Sequence, residues 1–483
     1  MGKALWTLED SKIAFSIFCC VYGIGTLGMP GNFSRVGPVI ATCALAFMAA
    51  ANIYSSIVLS KIMLCAPRSV RTFGDLGDWC MNRTGRYLVV LFQITDCLLM
   101  PCAYLVLGGT LLKNLFPGTF EQSTWILLMA FAVLPVCLTP TMKEGAFAAL
   151  AGCSGTILAD FISVGVLLHG MSGHPEIPRP DLSFDQIAGT FGNLSLAYGA
   201  GVVIPALQRQ HSDPTRMPRI ITVTLVCITC LFLTLAGSGY SAVGCQISGN
   251  LLFSIFPDHK TGLSALGVRT PRGAAVMAFL GVQFHITIAF SVLIHPAFFT
   301  LERSLLGMHR NVPCALDDIE KASHYGNNTT PSEGTRISKK RSFISIADIE
   351  QPELFEDEAL EYQGPNTIKY IILRVVVVAI LVMISVFFRE HFGEFADFIG
   401  ASCITMSCIV LPIVFYLYKL GDQVPLYEKI VAVTIAVICF SFGAYVTYQT
   451  GRELFTRPDH SIKFPFCAPR YKNDLYYNSS LVH

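Results

Sequence analysis

Long apolar runs separated by short polar stretches repeat along almost the whole chain. A helix needs roughly 20 apolar residues to cross about 30 Å of hydrocarbon. By that measure about eleven segments qualify: 12–34, 38–64, 87–112, 123–140, 145–169, 187–207, 219–243, 273–301, 367–388, 395–418 and 428–449. The pattern predicts an all-α polytopic membrane protein. Two of these runs are interrupted. Gly23-Ile24-Gly25-Thr26-Leu27-Gly28-Met29-Pro30 lies inside span 1, and Ala197-Tyr198-Gly199-Ala200-Gly201, followed by Pro205, lies inside span 6. Glycine weakens a helix by about 1 kcal/mol and proline by about 3 kcal/mol. At membrane depth such breaks survive only where the freed main-chain groups meet protein, water or a ligand.

Spans 1 and 6 each open a set of five, which predicts two five-helix halves with the broken helices face to face at the midplane, plus an eleventh span. Half-helix N-termini suit a carboxylate and half-helix C-termini suit an ammonium or another cation. Gly23, Ile24, Gly25 and Thr26 are therefore expected at a ligand carboxylate. Tyr198, Gly199 and Ala200 would supply carbonyls and a wall for the amine and side chain. The rival reading of either glycine cluster is close helix packing through small residues.

Composition narrows the picture. Of 483 residues 53% are hydrophobic and 14% charged, against about 25% charged in soluble domains. The formal net charge of +1 gives no pull toward nucleic acid. Most of the 17 cysteines fall inside apolar spans, where they act as small hydrophobes. No paired Cys/His spacing suggests a metal. Cys245 and Cys467 fall in segments expected outside, and the sequence leaves open whether they pair. Residues 1–11 show no cleavage pattern, so no removable signal peptide is expected.

Lys61, Arg68, Arg71, Arg83 and Arg86 after span 2, and Arg209, Arg216 and Arg219 after span 6, place the N-terminus in the cytosol. The organisation expected is a cytosolic 1–11, spans 1–8 over 12–305, a charged and disordered cytosolic loop over 306–365, spans 9–11 over 366–450, and an extracytosolic tail over 451–483. Asn478-Ser479-Ser480 would then be a usable glycosylation acceptor, and Asn82-Arg83-Thr84 would not. The loop carries the basic run Lys339-Lys340-Arg341 and an acidic run from Glu350 to Glu361. It reads as a solvated linker or as a regulatory segment with a partner, with Ser342 as a phosphorylation site.

Ionisable residues at depth are functional candidates. Asp96 lies in span 3 and Asp160 in span 5, where Thr156, Asp160 and Ser163 share a face. Span 8 carries the stripe Thr287, Ser291 and His295, with His285 nearly opposite Thr287. Tyr104 lies two turns from Asp96, within reach of a ligand carboxylate. Each also has a structural reading: Asp as a partner for hydroxyls or backbone, His as a helix contact, and Thr and Ser bonded back to their own helix.

The stretch 23–30, the stretch from Ala197 to Gln208 with the later Met217-Pro218, and Phe395-Ala396-Asp397-Phe398-Ile399-Gly400-Ala401-Ser402 with Pro412 and Tyr416 resemble the first-, sixth- and tenth-helix signatures of the amino acid/auxin permease family. The resemblance covers residues of about 10–450 and implies an eleven-helix, leucine-transporter-type fold that moves amino acids with H+ or Na+. It also implies that spans 1, 5 and 8 surround the coupling-ion site, with Asp160 taking up a proton. Alternatively Asp160, Thr287 and Ser291 would be oxygen ligands for sodium. The loop 306–365 and the tail lie outside the resemblance.

The function expected is secondary active transport of a small-molecule amino acid across a bilayer by alternating access, proton-coupled, in the plasma membrane or a vacuolar or lysosomal membrane. The coupling ion is then the only cofactor, and no enzyme motif or nucleotide-binding loop occurs. The alternatives are sodium coupling, a non-transporting amino acid receptor that signals through 306–365, and a channel.

Overall fold

The computed structural model describes residues 6–67, 70, 72–139, 145–171, 177–247, 249–308, 362, 364, 366–455 and 467. The basic positions Arg68 and Arg71, Ser342, the acceptor at Asn478 and most of the segments 306–365 and 451–483 lie outside these residues.

Span 1 is built in three pieces: α1 (Leu8–Val21), a single turn α2 (Ile24–Leu27) and the start of α3 (Met29–Cys65). Thr7 and Asp10 close α1 with a reciprocal capping box, which satisfies two of the orphan N–H groups of a helix start. Gly37, with φ 76°, kinks α3 just before Pro38. A left-handed φ is steric freedom that glycine has and other residues lack, so span 2 starts here. Among the described residues nine helices are long and apolar enough to cross, and Gln122–Leu138 is a shorter apolar helix. Helix length alone does not return the expected eleven, because the first crossing is divided and its C-terminal end runs into the second.

The third run begins earlier than expected. In α4 (Phe73–Leu115) a first segment is capped by the Thr72–Asp75 box and ends at a kink where Asn82 has φ 54°. The Asn82-Arg83-Thr84 triplet therefore sits at this kink. Lys419 lies 4.5 Å over the Trp79 ring, which ties the first segment to the end of the tenth crossing. The next elements keep close to expectation: α5 (Gln122–Leu138), α6 (Gly145–Gly170), α7 (Phe184–Ala197), α8 (Ile204–Gln210), α9 (Met217–Val243), the short α10 (Leu251–Ile255) and α11 (Arg272–Leu301). After them come α12 (Asn366–Phe387), α13 (Phe392–Ile399), a π-helical stretch (Gly400–Val410), α14 (Leu411–Leu420) and α15 (Leu426–Phe455).

Small residues set the closest crossings. A Cβ on Gly155 of α6 would lie 2.5 Å from the Gly281 carbonyl oxygen of α11. Gly400 and Gly192 approach as closely between the tenth and sixth crossings. Such contacts let helices associate in lipid, where no hydrophobic drive pulls them together. Cys245 and Cys467 are joined by a disulfide across 222 residues of sequence. That answers the pairing left open by the sequence and puts the tail at residue 467 on the same side as the loop after α9.

Candidate functional site

Regular helix stops at Tyr22 (φ −82°, ψ 87°) and Gly23 (φ −142°, ψ −145°) in span 1. In span 6 it stops at Tyr198, and a tight 3-10 turn (Gly201–Val203) leads into α8. The two breaks touch: a Cβ on Gly25 would sit 2.9 Å from the Ala197 Cα. Asn32 Nδ2 donates to Asn193 Oδ1 at 2.9 Å beyond them. Ile24, Tyr104, Leu196 and Ile404 belong to one buried cluster beside this junction. Gly199 faces Ile404 and Gly201 faces Cys408, both on the π-helical stretch. Two side chains expected to face a ligand are engaged elsewhere. The Thr26 hydroxyl donates to the Gly23 carbonyl at 2.8 Å, and the Tyr198 hydroxyl shares a 2.8 Å hydrogen bond with Thr229 of α9.

A polar cluster abuts the first break. Tyr22 donates its phenol to Asp160 Oδ2 at 2.8 Å. Asp160 Oδ1 is buried without a hydrogen bond, and the neighbouring Thr26 hydroxyl donates to the Gly23 carbonyl. Thr156 Oγ1, one turn earlier on α6, is also buried without a partner. His285 is buried between Gly23 and Gly152, where a Cβ would lie 3.3 Å from its Nε2 and 3.1 Å from its Nδ1 respectively. The structure thus gathers Asp160 and His285 around Gly23. It turns Thr287 and Ser291 back to their own helix, on the carbonyls of Gln283 at 2.7 Å and Ile288 at 2.8 Å. Ser163 likewise donates to Ala159, and His295 Nδ1 pairs with the Ser291 carbonyl. Asp96 occupies a different neighbourhood, in electrostatic range of Cys97, Tyr104, Cys403 and Cys408.

Contacts close the junction on both sides. On the C-terminal side of the span 1 break Arg35 pairs with Asp397 at 3.0 Å. Gly192 of α7 packs directly on Asp397. On the N-terminal side of that break Asp10 binds Arg216 through Nη2 at 2.6 Å and Nε at 3.1 Å, and pairs with His211 Nε2 at 2.8 Å. The Asp213 N–H donates to His211 Nδ1, so the ring proton sits on Nε2 and points at Asp10. Glu9 accepts from the Ser212 N–H at 2.8 Å. Burial alone would raise the Asp10 carboxyl, but donors from Arg216, Thr7 and His211 outweigh it and hold it well below the usual carboxylate range. Arg209 binds the carbonyls of Ala66, Pro67 and Val70. From sequence Arg209 and Arg216 carry only an orientation signal, and nothing there singles out Asp10, His211 or Arg35.

A second buried ion pair lies outside the residues expected from sequence. Arg374 of α12 binds Glu302 at 2.7 Å with both side chains fully buried. Its other donors reach the Cys137 and Thr139 carbonyls and the Tyr362 hydroxyl. Its one sequence signal is an arginine inside an apolar run whose only other charge is Lys369 near its start.

The family model described as transmembrane amino acid transporter protein matches residues 11–451. The amino acid transporter ANT1 of Arabidopsis thaliana is 23% identical over 458 residues, covering 90% of each chain. The amino acid transporter AVT1I of the same plant is 24% identical over 264 residues, 52% of this chain and 63% of that one. The vacuolar amino acid transporter 7 of Saccharomyces cerevisiae is 26% identical over 255 residues, 49% of this chain and 50% of that one. The chain thus spans nearly all of one curated relative and about half to two thirds of the other two. Among solved structures, a manganese transporter of Eremococcus coleocola overlaps 95% of this chain and 90% of its own at 11% identity and a TM-score of 0.49, a likeness too loose to support anything further. With a match over most of its length, an all-helical membrane architecture and two helices broken against each other, the chain belongs to the transmembrane amino acid transporter family.

Proposed function

We propose that this protein is a proton-coupled secondary active transporter of amino acids, working by alternating access, with its N-terminus in the cytosol. The observation that carries the reading is the contact of Tyr22 with Asp160 at the unwound point of span 1, beside the break of span 6. The substrate's carboxylate is taken by main-chain groups of Gly23, Ile24 and Gly25 beside Thr26. Its amine is taken by carbonyls of Tyr198, Gly199 and Ala200, with Tyr104 on the facing wall.

Asp160 carries the coupling proton on Oδ1. An uncharged carboxyl is far less costly at this depth than a bare carboxylate, so loading and unloading that proton biases the packing of α1 against α6. His285 stands beside Gly23 with its Nδ1 buried and unpartnered. Thr287 and Ser291 donate their hydrogens to their own helix, and their oxygen lone pairs are what the sodium alternative would use. Asp96, in its separate neighbourhood with Oδ1 buried and unpartnered, is the other acid that could carry the proton. Outward opening requires the Arg35–Asp397 pair to part, and inward opening requires Asp10 to leave Arg216 and His211. Both are joined here, as in an occluded carrier.

Uptake of an amino acid panel into proteoliposomes under imposed pH or sodium gradients tests the reading. Saturable accumulation driven by a pH gradient is expected. Accumulation driven by sodium alone overturns proton coupling, and binding without flux favours a receptor.

A further inference from the structure

Two tyrosines stand at the two breaks. Tyr22 caps the C-terminal end of α1, and Tyr198 caps that of α7. One ring lies against both. Phe232 of α9, fully buried, meets the Tyr22 ring at 6.2 Å between centroids and the Tyr198 ring edge-on at 5.4 Å. Aromatic rings attract one another at these separations. Among the described residues no other ring touches both tyrosines. Each phenol is also tied down. Tyr22 donates to Asp160 Oδ2 at 2.8 Å, and Phe18 stacks on its ring at 5.0 Å. The Tyr198 hydroxyl lies 2.8 Å from Thr229 Oγ1. Thr229 gives its one hydrogen to the Leu225 carbonyl, so the Tyr198 phenol is the donor. Thr229 and Phe232 are three residues apart on α9 and share a face. That face holds Tyr198 by hydroxyl and by ring, and reaches Tyr22 with the same ring.

We propose that Phe232 is the positioning residue through which the proton site at Asp160 and the break of span 6 sense each other. The inference deepens the carrier reading above and rests on its choice of Asp160 as the proton site. A proton on Oδ1 removes the carboxylate charge, and the charge-assisted bond from Tyr22 to Oδ2 weakens. The Tyr22 ring then moves with the unwound main chain of span 1. A close-packed interior leaves no void to absorb such a shift. Phe232 takes it up and passes it to Tyr198, whose main chain ends α7 at the second break. Linkage makes the relay two-way. Whatever reshapes the span 6 break, a substrate included, acts back on the Asp160 proton by the same factor. Phe232 has no polar atom to offer either site. Its part is to keep the two tyrosines in register.

Hydrogen–deuterium exchange on the full-length protein in lipid nanodiscs tests this without a substrate. Asp160→Asn stands in for the protonated carboxyl. All variants are compared at one alkaline pH, where the wild-type carboxyl is ionised and intrinsic exchange rates cancel. Asp160→Asn is expected to change exchange at both breaks, over residues 22–28 and 198–204. In a Phe232→Leu background it changes exchange at 22–28 alone. Phe279→Leu removes an equally buried ring, one that packs on Phe253 and Phe256 instead, and leaves both responses in place. Phe232→Met, whose unbranched chain fills gaps, replaces Phe232→Leu should that variant not fold. A response at 198–204 that survives the Phe232 substitution overturns the proposal. So does a response confined to 22–28 when Phe232 is present, or a response at 198–204 that Phe279→Leu removes equally well. No response at either break strikes Asp160 as the proton site, and the relay falls with it.

Discussion

Tyr22 and Asp160 meet at 2.8 Å across 138 residues of sequence, one at the last helical turn before span 1 unwinds and the other on the scaffold helix behind it. On the proposed mechanism the contact couples the shape of the broken helix to the protonation of a single carboxyl. Asp160→Asn should abolish the response of uptake to a pH gradient while sparing amino acid exchange. Unaltered pH-driven uptake in that variant removes Asp160 from the mechanism. Tyr22→Phe deletes a hydrogen bond to an ionisable group, worth about 1.5–3 kcal/mol. Gradient-driven uptake should fall by roughly tenfold or more, as initial-rate measurements will show.

Gly25 and Gly199 separate tight packing from open contact. A methyl on Gly25 would press on the Ala197 backbone at 2.9 Å, whereas one on Gly199 would find Ile404 at an ordinary 3.6 Å. Gly25→Ala should cost about 1–3 kcal/mol of overpacking and block transport. Gly199→Ala should keep most of it. Thermal stability and uptake of the two variants in parallel check the contrast.

The inner latch should ignore physiological pH where Asp10 is concerned. Its folded carboxyl lies below the ordinary value of 3.8, so the pairing contributes fully above that value and is lost only as pH falls through the lower folded one. Labelling of Cys20 from the inner side, divided by that of the exposed Cys65 to cancel the common rise of thiolate with pH, should therefore show no step due to Asp10 between about pH 5 and pH 8. Asp10→Asn or Arg216→Ala should raise that labelling at every pH. A strong pH dependence that Asp10→Asn removes would contradict the assignment.

Glu302 and Arg374 hold a fully buried charge pair. Removing one partner strands the other, at a cost of about 3–5 kcal/mol. Arg374→Met or Glu302→Gln should lower the melting temperature markedly. The double change Glu302→Leu with Arg374→Leu should recover much of it, which a thermal-shift series can read.

Much of the architecture was legible because bilayer thickness fixes element length. The expected 145–169 is Gly145–Gly170 and 219–243 is Met217–Val243. Both breaks were legible because glycine and proline are the residues a helix tolerates least, and each break stacks several of them within one crossing. What escaped were long-range pairings. Nothing local marks Arg35 as the partner of Asp397, 362 residues away, or Asp10 as the partner of Arg216. Thr287 and Ser291 show the converse. Spacing placed them on one face, yet a hydroxyl on a helix can always turn to the carbonyl a turn before it.

Met308 and Tyr362 pack in one small buried cluster with Tyr370, and Tyr362 is bonded to Glu302. The stretch between them therefore leaves and rejoins the membrane domain at a single anchored doorway. Lengthening a chain whose ends are already fixed is cheap, about 0.6 kcal/mol per doubling. A fluorescent domain spliced between residues 309 and 361 should thus leave the helices undisturbed, and this doorway is the natural place to attach a reporter to a working copy of the protein.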